Sequence, residues 1–228
     1  MAISRVFSAQ PQVLGADIVT IETDFTRGLF AFTVVGLPGK AVEEARDRIG
    51  SAIKHSQLSP PKSENHKIVI SLAPADLRKE GPLFDLPMAL GYLLAKGDLR
   101  GDVTRTLCVG ELGLDGTLRP VRGILPIVRE AQRHGFLDVI VPKENARESA
   151  LIPNIITYGA DTLLEVLRHI DHTRDDHTRL IAYETTHLGD AWDDTSVCID
   201  DVRGQESAKR GLIIGAAGRH NALLVGPP

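Results

Sequence analysis

Gly226-Pro227-Pro228 follows the short apolar run Ala222 to Val225. A buried strand that delivers a glycine-led turn is how a phosphate-binding loop opens, its full pattern being G-x-x-x-x-G-K-[ST]. In such a loop backbone N–H groups cradle the phosphates, the lysine reaches the β- and γ-phosphates, and the hydroxyl holds magnesium. Only the first three positions are present, so Gly226, Pro227 and Pro228 can begin a nucleotide cradle but supply none of its charge. Ahead of them, Gly204 and Gln205 stand where a helix can start. Ala208, Leu212 and Ala216 recur at helical spacing, and Gly218 supplies a stop.

Other residue types capable of chemistry are scattered. His172, His177 and His187 fall in a polar stretch, but no pair has a recognised ligand spacing and no second cysteine is near, so a solvated linker outweighs a metal site. Cys108 lies in an apolar strand and reads as a buried thiol, far in sequence from Cys198. That usage fits a reduced, cytoplasmic protein. Ser71 and Lys79 pair a hydroxyl with an amine in one neighbourhood, without a motif around either.

The elements that must position these residues follow from patterning. The chain has 228 residues, enough for one full domain and part of another. Hydrophobic residues are 43% and charged residues 25%, as in ordinary globular proteins. No apolar run approaches the ~18 residues of a membrane span, and the N-terminus lacks a signal-peptide pattern. A net charge of −4 and an aromatic content of 4% argue against free-standing nucleic-acid binding by residues 1–228.

Residues 16–23 and 29–35 read as an antiparallel hairpin that ends at Gly36-Leu37-Pro38-Gly39. Val42, Ala45, Ile49, Ala52 and Ile53 make one face of a helix over 40–55. Lys67 to Leu72 is a strand expected to be buried on both faces. Asp85 is placed to cap the next helix, striped by Leu86, Leu90, Leu93 and Leu94 and stopped at Lys96-Gly97. Thr106 to Leu112 is a strand, and Asp115-Gly116 a hairpin turn returning through Leu118 to Val121. A helix over 124–134, a strand over 139–142, a short helical turn, a strand over 155–158 and a helix capped by Thr162 and Glu165 complete the run.

Two stretches carry resemblances. Gly204-Gln205 and Ala216-Ala217-Gly218-x-His220-Asn221 before a strand are similar to the opening of an AAA+ ATPase module of the magnesium-chelatase branch. Lys79-Glu80-Gly81-Pro82, the run Gly110-Glu111-Leu112 through Gly123-Ile124, and Val141-Pro142-Lys143-Glu144-Asn145 resemble the proteolytic domain of Lon proteases. In Lon the nucleophilic serine directly follows the Gly-Pro pair, and the partner lysine follows the Gly-apolar pair. Here those positions are Leu83 and Leu125. A Ser/Lys dyad needs a hydroxyl to attack and an amine to take its proton, and leucine can do neither. The order of the two resemblances, with Val35-Gly36-Leu37-Pro38 and the helix from Ala41 to Ile49, is similar to the YifB/ComM family across the whole chain.

That resemblance implies an α+β fold: a Lon-like mixed sheet with packed helices over 1–170, catalytic dyad absent. A linker over 171–198 and the first helix and strand of a P-loop AAA+ module over 199–228 follow, the module being cut within its Walker A motif. It implies the N-terminal fragment of a hexameric AAA+ ATPase that uses ATP and Mg2+ and acts on DNA, promoting branch migration during natural transformation. The fragment itself holds no complete active site, binds no cofactor and has no membrane partner. Gly204, Gln205, Gly226, Pro227 and Pro228 are its partial nucleotide site. Arg119 and Arg122, at a strand end, and Arg129 and Arg133, i and i+4 on one exposed helix face, are the positions where DNA contact is to be tested. Alternatives are a magnesium-chelatase-type motor subunit, a Lon-like peptidase with another nucleophile, and a stand-alone assembly domain.

Overall fold

The computed structural model describes residues 3–13, 15–63, 65–186 and 198–226. Pro227, Pro228, His187 and most of the polar stretch after it lie outside the described residues. The chain divides into a unit over 1–187 and a second over 188–228.

In the first unit the strands are β1 (Ile3–Gln12), β2 (Gly15–Arg27), β3 (Ala31–Val35), β4 (His66–Ala73), β5 (Thr106–Cys108), β6 (Glu111–Leu112), β7 (Leu118–Arg119), β8 (Asp138–Pro142), β9 (Ile156–Ala160) and β10 (Ala182–Tyr183). The helices are α1 (Lys40–Glu43), α2 (Ala45–His55), α3 (Asp85–Lys96), α4 (Ile124–Arg133), α5 (Lys143–Ser149) and α6 (Leu163–Ile170). Among the described residues eight strands form one mixed sheet in the order β10-β9-β8-β5-β1-β2-β4-β3, and β6-β7 is a separate hairpin. The fold is α+β with a mixed sheet and packed helices, as expected.

The antiparallel hairpin is not the one the turn residues suggested. β2 pairs with β1, in register from Ile3↔Asp24 to Gln12↔Gly15, and on its other side with β4. Both edges of β2 are therefore taken. The chain after Gly28 crosses to the far side of β4 and runs parallel to it as the edge strand β3. β4 itself alternates, with Ile68, Ile70 and Leu72 fully buried and the residues between them only partly so, so one face rather than both is sealed.

The expected face is buried, at Val42, Ala45, Ile49, Ala52 and Ile53, but the single helix expected over 40–55 is broken at Glu44 into α1, which holds Val42, and α2. α3 is buried well beyond its leucine stripe. Ten of its twelve residues are buried, because β1, β2 and α2 all pack on it. Gly97, at φ +88°, ends it in a left-handed cap that glycine adopts without strain. The strand expected over 106–112 is divided at Gly110, where the chain leaves the sheet and starts the β6-β7 hairpin. α4 and α6 bury regular stripes, Ile124, Ile127, Val128 and Ala131 in one and Leu163, Val166, Leu167 and Ile170 in the other. Thr162 caps α6 by accepting from Glu165 N–H, but the Glu165 carboxylate reaches back to Asp161 N–H, one residue earlier than a capping box requires. Residues 171–186 stay tied to this unit. Asp171 accepts from Arg100 N–H, and β10 adds an antiparallel edge to β9.

In the second unit α7 (Glu206–Ala217) forms where the spacing placed it, and none of its residues is buried. Leu223, Leu224 and Val225 are 87%, 73% and 89% exposed and join no sheet. A strand exists only by pairing, and this short unit holds no described strand that could pair with them.

Candidate functional site

The two glycine-rich motifs of the first unit meet in space. The Gly36-to-Gly39 turn and the Lys79-to-Pro82 loop are joined by two backbone bonds, Lys79 N–H to Leu37 O at 3.1 Å and Gly39 N–H to Lys79 O at 2.8 Å. Beyond Gly81, at φ +81°, the loop is bound to Gly110: Gly110 N–H donates to Leu83 O and Leu86 N–H donates to Gly110 O, each at 3.0 Å. The frame that would hold a nucleophile is therefore intact, with Leu83, 6% exposed, at its centre. Leu125, at the lysine position, sits in the first turn of α4 and is 36% exposed. Gly123, at φ +76°, starts that helix against Pro11, where a Cβ would come within 2.9 Å.

Neither dyad position of this frame carries a hydroxyl or an amine, Leu83 and Leu125 standing there. The Lys79 side chain is fully buried and its Nζ donates to the carbonyl of Pro74. Burial lowers its pKa and Asp76 partly restores it. Ser71 lies within β4, in register with Glu22 and Val35. Cys108 is wholly buried, which pushes its thiol far above the usual range and leaves it inert. Leu83→Ser is expected to create no peptidase. It is expected to cost at least the ~2–5 kcal/mol of a buried leucine truncation, read as a lower denaturant midpoint; casein hydrolysis by the variant would contradict this reading.

Sequence reasoning missed the charged group at this frame. Asp85 does not cap α3. It is the first residue of the helix, its side chain is 1% exposed, and Arg48 grips it in a fork of 2.7 Å (Nε to Oδ2) and 2.9 Å (Nη2 to Oδ1). Leu112 N–H donates to Asp85 Oδ2 at 3.2 Å, and Arg48 also donates to Ala41 O at 2.8 Å. One carboxylate thus ties α2, α3 and the β6-β7 hairpin together. Burial pushes the Asp85 carboxyl up to about 6, against the opposing pull of Arg48 and the Leu112 N–H. Arg48 moves further above its already high value, chiefly through its hydrogen bonds to Asp85. A sequence signal existed only in retrospect, as an arginine on the polar side of an amphipathic helix.

The four arginines read from the sequence divide in two. Arg129 and Arg133 line one shallow groove with Leu125, Pro126, Ile152 and Pro153. Arg119 lies on the β6-β7 hairpin, where Glu111 accepts from it at 3.3 Å. Arg133 is paired with Glu130 at 3.3 Å, and Glu130 also lies 3.3 Å from His134. Arg122 and Arg129 form no ion pair with another described residue.

In the second unit Gly204 and Gln205 are exposed and left-handed, at φ +69° and +58°, and Gln205 O receives the Lys209 N–H of the first turn of α7 at 3.0 Å. A Cβ on Gly226 would meet nothing within 4 Å. Among the described residues 222–226 there is no lysine and no hydroxyl. His172 and His177 approach at 3.3 Å in the first unit. Among the described residues no group of three or more His, Cys, Asp or Glu is placed to hold a metal. No described helix is long and apolar enough to cross a membrane.

Comparisons with known proteins follow this geometry. A family model described as subunit ChlI of Mg-chelatase matches residues 21–145, and a second, described as magnesium chelatase, subunit ChlI, matches 198–228. The chain is 38% identical over 231 residues to "Competence protein ComM" of Haemophilus influenzae, which covers 100% of this chain and 44% of that protein. It is 39% identical over 233 residues to "Uncharacterized protein YifB" of Escherichia coli, covering 100% and 43%. A Lon protease of Solibacter usitatus is 29% identical over 149 residues, 63% of this chain and 18% of that one. The chain spans less than half the length of ComM and YifB.

Proposed function

Since the chain belongs to the family of the magnesium-chelatase subunit ChlI, as a member of its YifB/ComM type, we propose that it is the N-terminal part of a ComM-like AAA+ ATPase. In this reading the complete protein is a cytoplasmic homo-oligomer, a hexamer by family resemblance. It hydrolyses ATP with Mg2+ and drives branch migration of DNA during natural transformation. Residues 1–170, with 171–186 packed on them, are a protease-dead, Lon-like collar, the rest of 171–198 a linker, and 199–228 the start of the motor. Gly204 and Gln205 would lie at the adenine and Gly226, Pro227 and Pro228 at the phosphates. Arg119, Arg122, Arg129 and Arg133 remain the first proposed DNA contacts.

One observation carries this reading: a stretch similar to Lon proteases, with leucine at both dyad positions, and a match to the magnesium-chelatase model over 198–228 occur in that order on one chain, all of which aligns with ComM. When bound, nucleotide and magnesium would supply the driving reaction. Of Gly226, Pro227 and Pro228 only Gly226 carries a backbone N–H to offer the phosphates, without the lysine charge that phosphoryl transfer requires. Residues 1–228 alone are therefore expected to hydrolyse no ATP.

The test is hydrolysis by the complete product of the native gene, with and without a four-way DNA junction. Junction-stimulated hydrolysis and movement of the branch point are expected. Absence of both, from a protein whose intact mass shows the full module, would reject the reading. Hydrolysis by residues 1–228, lost on changing Gly226, would reject its account of the nucleotide site. A chelatase-type motor is the second reading, favoured by the description of the family models; tetrapyrrole-dependent hydrolysis would select it.

A further inference from the structure

A pocket of ≈ 220 Å³ opens where the exposed side of α2 faces the start of β3 and the turn over 60–62. Its lining holds three cations, Arg46, Lys54 and Lys62, and one carboxylate, Asp47. Phe30, Pro60, Pro61 and Gly50 line the apolar part, and Phe30 is half-buried against the core. Asp47 is shared weakly, at 3.5 Å from Arg46 and 4.0 Å from Lys62, with all three side chains about half exposed or more. Lys54 forms no ion pair with another described residue.

Three features narrow the occupant. The whole chain carries −4, which argues against nucleic-acid binding over its general surface, so three cations against one carboxylate in this groove run against the average and select a polyanion. The pocket is smaller than the ~300–1,000 Å³ that usually enclose a small-molecule ligand, so it suits one unit of a polymer crossing it. A phenyl ring among lysines offers a stacking face beside charge, which nucleic-acid single strands use and acidic peptides do not. By contrast, Arg119 and Arg133 each already face a glutamate.

We propose that this α2 groove binds single-stranded nucleic acid, with phosphates over Arg46, Lys54 and Lys62 and a base against Phe30. The choice of nucleic acid rests on the DNA-directed reading above. The groove itself involves no nucleotide site, so its binding needs no ATP and can succeed or fail separately from hydrolysis.

The test is anisotropy of a fluorescein-labelled oligo-dT titrated with residues 1–228, without ATP, over a range of salt. Lys54→Glu/Lys62→Glu is expected to weaken binding at least tenfold and to flatten the salt dependence by about 1.4 in log–log slope, from ~0.7 per lost single-strand phosphate contact. Phe30→Leu keeps the apolar packing and is expected to weaken binding about tenfold, the scale of one base stack, with the slope unchanged. Asp47→Asn, which removes the one described carboxylate of the groove, is expected to tighten binding several-fold, a gain that a merely structural role would not produce. Circular dichroism of each variant confirms that it is folded. The proposal is overturned if the lysine pair changes affinity no more than Arg105→Glu/Arg147→Glu, an equal charge change at exposed residues outside the groove, does. It is also overturned if polyglutamate of equal charge competes as well as unlabelled oligo-dT.

Discussion

Gly36→Ala is expected to be among the most damaging single substitutions in the first unit, with a loss on the order of 3–5 kcal/mol from backbone strain and displaced packing together. Gly36 has φ +99°, outside the range where a side chain is comfortable. Space makes it worse: an added Cβ would lie 2.1 Å from Leu72 O, and that oxygen belongs to the backbone of a central strand. Neither side can yield cheaply, because β4 is held by β2 on one side and β3 on the other. The turn would have to move, and with it the bonds from Leu37 and Gly39 to Lys79 that set the Leu83 loop. A two-state domain of this size loses roughly 2–4 °C of Tm per kcal/mol, so a fall of about 10 °C or more in calorimetry is the expected reading. A shift under about 3 °C would mean that the turn relaxes freely and does not anchor the loop.

The sequence and the structure part company in an orderly way. The buried face of α2 was legible because a single helix, packed on one side, writes its environment into a 3.6-residue period. The same holds for α4 and α6. The partner of β3 was not legible, because Gly28 makes a turn easy but says nothing about whether β2 has a free edge. Leu83 and Leu125 could be read as a lost dyad, since a missing hydroxyl and amine are facts of residue type. The clamp of Asp85 could not. Its partner is 37 residues away, and on the helical wheel Arg48 counts as solvent-facing. The α2 groove was hidden for the same reason: Phe30, Lys54 and Lys62 come from three segments, and the charges of α2 read alone as an ordinary mixed-sign surface.

Arg48→Met is expected to cost about 3–5 kcal/mol at pH 8, the penalty for leaving a buried charge without its partner, and much less at pH 5. The sign follows from Asp85. In the native protein burial already raises its carboxyl to about 6, while Arg48 and the Leu112 N–H hold it down. Its folded pKa is above its unfolded one, so folding takes up protons between those values. The contribution of this group to stability is therefore greatest in acid and falls as pH rises through about 6. Without Arg48 the largest restraint is gone, the folded pKa climbs further, and the decline extends to higher pH. At pH 5 the variant can bury a neutral acid that still accepts from Leu112 N–H; at pH 8 it must bury an anion or unfold locally. Urea midpoints of both proteins at pH 5 and pH 8 measure this directly, and equal penalties at the two values would show that the carboxylate escapes to solvent. The double variant Arg48→Met/Asp85→Leu separates the charge from the packing. It is expected to regain most of the loss at pH 8, because apolar groups of similar volume replace buried ion pairs well. The part not regained, about 1–3 kcal/mol, belongs to Leu112 N–H, a buried donor left without an acceptor.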